Sequence, residues 1–348
     1  MGKLINLQHL HVMGCYNLKL PKGIARLTSL RRLDEVRIHG DDDVDNNKEA
    51  LFELSDLRNM DQLHGSFCIW FKEDLKDARQ AEKAHLVNKN CLVSLEFVFP
   101  FPGIAQHIEE ETVNALQPHP ILESLSIKFY NGTTLRPHWM TSLNKLRSLY
   151  LRFCYFVEFV PPLGRLESLE VLKIEECQSL KKVGVEFLGI DGTIETQTSS
   201  SPLILFPSLK TLVFFDLPIW EEWEGMTGWS EEEDSQKTII IMPCLSSLLI
   251  GNCHSLKTLP NFLRNTPLKE LLIDPSPTLA QGCRKGRGEW PKISHIPNIK
   301  VGEEFVQKDG VYQTDDDETP SAASTSPSGI KKFLKNCLGL GLALPGHA

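Results

Sequence analysis

The sequence predicts an α/β solenoid: a curved right-handed superhelix of short units, with a parallel sheet along its concave face. Three observations carry the prediction. A Leu-x-x-Leu-x-apolar motif recurs eight times; its starts at 122, 146 and 169 differ by 24 and 23, and those at 245 and 268 again by 23; and four of the eight copies carry cysteine three residues after the last apolar position.

The first copy is Leu7, Leu10 and Val12, and the second is Leu92, Leu95 and Phe97. A close series follows: Leu122, Leu125, Ile127; Leu146, Leu149, Leu151; and Leu169, Leu172, Ile174. Leu209, Leu212 and Phe214 come next, and the series closes with Leu245, Leu248, Ile250 and Leu268, Leu271, Ile273. That period and consensus define the leucine-rich repeat, whose units run to about 20–29 residues. Each unit opens with a short strand whose Leu-x-Leu side chains point into the solenoid. Alternate residues point outward, because side chains in a strand change face at every step. Stacked units bury one another's apolar faces, so the core is continuous. Cys15, Cys154, Cys177 and Cys253 occupy the position where the consensus takes Asn or Cys, turned inward as the strand ends. The return segment turns at proline, as in Leu256 to Pro260 and Leu18 to Pro21.

Two regions break the period. Residues 31–91 hold Leu33, Val36 and Ile38, an acidic run, then Leu54, Leu57, Met60 and Leu63. These read as degenerate repeats with a helical segment from Lys72 to Asn88, and 39–90 as an irregular stretch. Insertions are expected at 184–207 and 217–243, with Trp220 and Trp223 forming insertion core rather than ligand contacts. The repeat domain is expected to span 1–302, about ten units counting the degenerate ones. A disordered acidic, Ser/Pro-rich linker and tail should occupy 303–348, since 314–329 is mostly Asp, Glu, Ser, Thr, Pro and Ala.

Composition narrows the functional classes. Hydrophobic residues make up 41% of 348 residues, enough for a substantial core. The net charge of −8 comes from three acidic runs, Asp41–Asp43 with Asp45, Glu231–Asp234 and Asp315–Glu318; without them 33 acids face 37 Lys and Arg. No basic stripe interleaved with aromatics points to nucleic acid. No apolar run approaches the ~18–20 residues of a membrane span. The N-terminus lacks a signal peptide's apolar stretch, so a cytoplasmic protein with reduced thiols is expected. The remaining cysteines are scattered without a C-x-x-C pair, which argues against zinc and against a disulfide framework. His9 and His11 share a strand face by period alone, and Cys253 beside His254 is an inward ladder residue rather than half of a catalytic dyad. Neither G-x-S-x-G nor H-E-x-x-H occurs, so no catalytic residue, metal or enzyme activity is expected. Within the tail, 330–345 turns apolar and basic around Cys337, but membrane contact is not the expected reading.

Pro161–Ile190, Phe206–Glu224, Met242–Pro260, Glu289–Val301 and Lys76–Phe97 resemble the leucine-rich domain of plant intracellular disease resistance receptors, those with a coiled coil and a nucleotide-binding switch. The resemblance covers residues 1 to about 302. It implies a carboxy-terminal, protein-recognition and autoinhibitory module that senses pathogen effectors or guarded host proteins. Its partners would be such proteins and the receptor's own nucleotide-binding domain. The family's phosphate loop, G-x-x-x-x-G-K-[ST], has no counterpart here. No cofactor is therefore expected in this chain, and ADP or ATP only in a full-length parent. A free-standing adaptor or decoy, and a non-functional receptor fragment, remain alternatives.

The outward strand positions are then the candidate binding surface: Ser124, Ser126, Lys128; Ser148, Tyr150, Arg152; Val171, Lys173, Glu175; Thr211, Val213, Phe215; Ser247, Leu249; Glu270, Leu272, Asp274. From these Lys128, Tyr150, Arg152, Lys173, Glu175, Val213, Phe215, Leu249, Glu270 and Leu272 form the candidate site. Tyr150, Arg152 and Phe215 are the expected anchors, since Tyr and Arg are enriched at binding hot spots and aromatics at interfaces. Phe215 has a second reading, packing beneath the 217–243 insertion.

Overall fold

The computed structural model describes residues 4–39, 50–73, 75, 78–101, 110–190, 202–225, 239–274 and 276–313. Twelve strands form one sheet. They are β1 (Glu35–Ile38), β2 (Gly65–Phe71), β3 (Leu92–Val98), β4 (Ser124–Lys128), β5 (Ser148–Arg152), β6 (Val171–Glu175), β7 (Thr211–Phe215), β8 (Ser247–Gly251), β9 (Glu270–Asp274), β10 (Asn298–Val301), β11 (Glu304–Lys308) and β12 (Val311–Tyr312). Their order across the sheet is their order in the chain, parallel from β1 to β10, with β11 and β12 added antiparallel. Parallel neighbours need a crossover, and here the crossovers are return segments of irregular chain with short 3-10 turns, such as Met140–Ser142 and Asn261–Asn265, or short α-helices, such as Glu110–Ala115 and Pro277–Gly282.

The register puts the repeat leucines in line. Leu125, Leu149, Leu172, Leu212, Leu248, Leu271 and Ile299 are successive cross-strand partners, each 2% exposed or less. Burying one leucine side chain contributes about 1.5–3 kcal/mol, so this row and its companion from Ile127 to Ile273 hold the units together.

A second ladder forms where the strands end. Phe129, Phe153, Glu176, Asp216 and Asn252 follow five strands with φ of 58°, 59°, 59°, 55° and 55°. That left-handed conformation costs an L-residue about 1–2 kcal/mol. In return, each amide bonds the next unit: Phe129 N–H to Arg152 O (3.1 Å), Phe153 to Glu175 O (3.0 Å), Glu176 to Phe215 O (2.8 Å), Asp216 to Gly251 O (2.9 Å), and Asn252 to Asp274 O. The cysteines then serve the turn. Cys154, Cys177 and Cys253 are buried, and their thiols donate to the carbonyls two residues back, those of Arg152, Glu175 and Gly251.

Four expectations change. The first motif does not join the main sheet: His9–Leu10 pairs with Arg32–Leu33 in a separate two-stranded sheet, and Cys15 is exposed rather than inward. The stretch 39–90 contains a full strand, β2, whose Phe67, Ile69 and Phe71 face the core. The helix expected over 72–88 is only Ala78–Glu82 within the described residues, followed by His85 at φ 49°, which breaks the helix, and a 3-10 turn at Leu86–Asn88. Finally, the fold continues past 302. Gly302, at φ 60°, turns β11 back onto the last parallel strand, and Gly310, at φ 80°, turns β12 onto β11. Val306 fills the end of the core, and Gln307 Nε2 donates to Ser294 O and Ile296 O. The hairpin caps the solenoid, as terminal units require. The residues from 314 onward, and the three acidic runs, lie outside the described residues.

The insertions' described ends pair with each other, Leu203–Leu205 alongside Ile239–Ile241. Trp220 and Trp223 are core, as expected: they are 0% and 4% exposed and pack against Phe214.

Candidate functional site

The sheet face opposite the core, the inner face of a leucine-rich repeat, is built from the alternate strand residues. Cross-strand register sorts them into three rows. The first is small and hydroxylic over most of its length: Ser66, Ser94, Ser124, Ser148, then Thr211 and Ser247 beyond Val171. The middle row begins Glu35, Cys68, Glu96, Ser126, Tyr150, Lys173 and continues Val213, Leu249, Leu272. The third runs Arg37, Trp70, Val98, Lys128, Arg152, Glu175, Phe215.

This face has two halves. Over β2–β6 it holds a cavity of about 350 Å³ lined by Glu96, Ser126, Lys128, Tyr150, Arg152, Lys173 and Glu175 among others, with Asp34 and Met13 at its N-terminal lip. Charges here are matched in place. Glu96 takes the Lys128 ammonium at 2.6 Å and the Ser126 hydroxyl at 2.8 Å. Arg152 Nε lies 2.6 Å from Glu175 Oε2 but without hydrogen-bond geometry, so charge attraction holds that pair. The Lys173 ammonium sits 5.1 Å from the Tyr150 ring centre. Burial together with the Glu96 carboxylate pushes the Cys68 thiol far above its ordinary range, which keeps it protonated.

Over β7–β9 the face is apolar. Val213, Leu249 and Leu272 are cross-strand partners, and Phe215 packs against them as a separate cluster from the main core. The Phe215 ring lies across Gly251, where any Cβ would approach its Cδ2 to 2.6 Å. Among the described residues Phe215 thus lies on the inner face with Val213, Leu249 and Leu272; 226–238 of the insertion, on which its second reading turns, lie outside the described residues.

Of the ten candidate residues, five line the cavity together: Lys128, Tyr150, Arg152, Lys173 and Glu175. Four build the apolar cluster: Val213, Phe215, Leu249 and Leu272. Glu270 stands apart, exposed in the row of small residues. Missed were Glu35, Arg37, Cys68, Trp70 and Glu96, which lie on units read as degenerate or left out of the outward positions. The signal was present in Ser94-x-Glu96-x-Val98, the polar alternate of a motif already recognised. Arg37 is held by Glu35 at 2.7 Å and stacks 4.8 Å from Trp70 and 5.2 Å from Tyr16.

Nucleophilic chemistry finds no footing at Cys253: burial pushes that thiol up to about 12, and it faces the core beside exposed His254. His11 Nδ1 meets Asp34 at 2.9 Å, and His9 is exposed. Among the described residues no group of three or more His, Cys, Asp or Glu side chains is placed to hold a metal ion, and no helix is long and apolar enough to cross a membrane.

Two family models match this chain. Residues 54–177 match R13L1/DRL21 leucine-rich repeats, and residues 122–273 match the leucine-rich repeats of RPS2-like plant disease resistance proteins. Among curated relatives, RPP13-like protein 1 of Arabidopsis thaliana is 30% identical over 60% of this chain and 20% of that protein. RGA4 of Solanum bulbocastanum is 30% identical over 70% of this chain and 22% of that protein. The disease resistance protein RGA2 of the same species is 28% identical over 63% and 21%. The chain therefore spans only about a fifth of the length of these relatives. Among solved structures, a TLR13–ssRNA13 complex aligns over 86% of this chain and 38% of that chain at 14% identity, with a TM-score of 0.38. By its repeats, the chain is a leucine-rich-repeat domain similar to those of the plant disease resistance proteins.

Proposed function

We propose that this domain is the protein-recognition and autoinhibitory module of a cytoplasmic plant disease resistance receptor, and that its inner face senses a pathogen effector or a guarded host protein. One observation carries the reading: a half-buried Tyr150 and Arg152, the residue types most enriched at hot spots, share a cavity whose charged neighbours are already paired with one another. Such a surface offers a partner aromatic and guanidinium contact area without first stripping unpaired charges of water. Its carboxylates Glu96 and Glu175 are engaged by Lys128 and Arg152, which suits a binding surface. In a full receptor, the partner on this face would compete with the contacts that hold the nucleotide-binding switch closed.

The test places these repeats in their receptor, co-expresses candidate effectors in leaf tissue and reads cell death. Tyr150→Ala with Arg152→Glu should abolish the response to the recognised effector while the protein still accumulates. A response untouched by inner-face changes, yet lost on charge reversal of return-side Lys145, would overturn the reading.

A further inference from the structure

The rim of the sheet beyond β4 and β5 carries aromatic side chains where the backbone does not ask for them. Phe129 and Phe153 hold the left-handed turn at φ 58° and 59°, a conformation that asparagine tolerates and that is an outlier for a bulky residue. Asn252 takes the same turn after β8 at φ 55°, so the ladder itself needs no ring. The two rings lie on each other, 4.8 Å apart and nearly parallel. Phe101 closes against Phe129 at 5.6 Å, and Tyr155 against Phe153 at 6.3 Å. Three of the four rings are half-buried and Phe101 is 56% exposed. Contiguous exposed apolar surface of this kind is a mark of interaction sites.

Acidic groups adjoin the rings. Glu176 and Asp216 take the same turn position after β6 and β7. Burial together with these two carboxylates holds the Tyr155 phenol above its ordinary range, which places ring and acids in one site. Glu176 is itself raised, by burial and by the Asp216 charge beside it. Among the described residues neither carboxylate has a lysine or arginine in ion-pair contact. Asp216 accepts from the Asn252 amide, and Arg152, the cation whose charge reaches Glu176, is held by Glu175 at 2.6 Å. The stretches 102–109 and 191–201, next in sequence to these units, contain no lysine or arginine, and 226–238 sets one lysine against four acids. The ring faces favour a cation as well, since aromatic quadrupoles attract positive charge; the Arg152 guanidinium already lies 5.3 Å from the Phe153 ring centre.

We propose that this rim, the rings of Phe101, Phe129, Phe153 and Tyr155 beside the Glu176 and Asp216 carboxylates, docks a basic segment of a partner protein, an arginine or lysine with an apolar neighbour. The apolar side chain lies on the rings and the cation meets the two carboxylates. A nucleic acid could stack on the rings, but its phosphates would face those same carboxylates. None of the six residues lines the inner cavity, so the proposal stands or falls apart from recognition there.

The test is NMR of the full chain titrated with acetyl-Leu-Arg-Leu amide and, separately, with acetyl-Leu-Glu-Leu amide. The expected result is saturable shifts at the Tyr155 and Glu176 amides from the arginine peptide, which binds several-fold more tightly than the glutamate peptide. Phe129→Asn/Phe153→Asn suits the turn backbone and should abolish these shifts, while the core methyls of Leu149 and Leu172 keep theirs and report an intact fold. Glu176→Gln should weaken the arginine peptide several-fold and leave the glutamate peptide no weaker. Equal binding of the two peptides, no saturable shift at millimolar arginine peptide, or an unchanged response in the double variant would each overturn the proposal. Rim signals that move with protein concentration alone would overturn it in favour of a second copy of the chain.

Discussion

Leu149 and Tyr150 are neighbours in β5 that the register assigns to opposite faces, so truncating each should give sharply different costs. Leu149 is 0% exposed and lies in the central row between Leu125 and Leu172. Leu149→Ala leaves a cavity between rigidly stacked units that cannot collapse into it, at a cost of about 3–5 kcal/mol. Tyr150 is half-buried in the inner cavity with Lys173 over its ring. Its loss removes a cation–π contact of about 0.5–1 kcal/mol and part of a ring's contact area, about 1–1.5 kcal/mol in all. Guanidinium unfolding followed by circular dichroism reads both as midpoint shifts at unchanged slope. Costs that are equal, or larger for Tyr150→Ala, would refute the assignment of faces and with it the inner rows.

Three further outcomes follow from single features. Gly164 leaves no room for a side chain, because a Cβ there would come within 2.0 Å of the Leu188 carbonyl oxygen; Gly164→Ala should cost at least ~2 kcal/mol, read by thermal unfolding. Burial pushes the Cys253 and Cys283 thiols up to about 12, whereas an unfolded thiol ionises near 8.5–9. Between those values the unfolded chain binds fewer protons, so stability is full below pH ~9 and falls as pH rises toward 12, by at most about 1.4 kcal/mol per unit for each thiol; denaturation midpoints from pH 8 to 10.5 should fall less steeply in Cys253→Ala. Mass spectrometry after brief alkylation of the native protein should find Cys15, Cys91 and Cys244 modified, and Cys154, Cys177, Cys253 and Cys283 untouched.

The core was readable because leucine spacing records it directly. Every motif from Leu92 onward lies on a strand of the main sheet, and Trp220 and Trp223 could be placed from their setting in an insertion. Less legible were units whose strands lack leucine. Gly65–Phe71 alternates Phe67, Ile69 and Phe71 inward with Ser66, Cys68 and Trp70 outward, a strand period with no leucine to mark it. The closing hairpin was missed for a related reason: its contribution is Val306, the Gln307 amide bonds and two positive-φ glycines, none of which belongs to the repeat. The candidate site was legible as a face but not in its division. That Val213, Leu249 and Leu272 would meet as one buried patch depends on cross-strand register over units of unequal length, which spacing along the chain does not fix.

Recognition through the inner face should leave its mark on an affinity map of the solenoid. Dissociation constants for the recognised effector would be measured against single substitutions on both sides of the solenoid. Losses of tenfold or more are expected for Tyr150→Ala and Arg152→Ala, and unchanged affinity for return-side Lys145→Ala and Arg165→Ala. Losses confined to the return side would contradict recognition through the inner face.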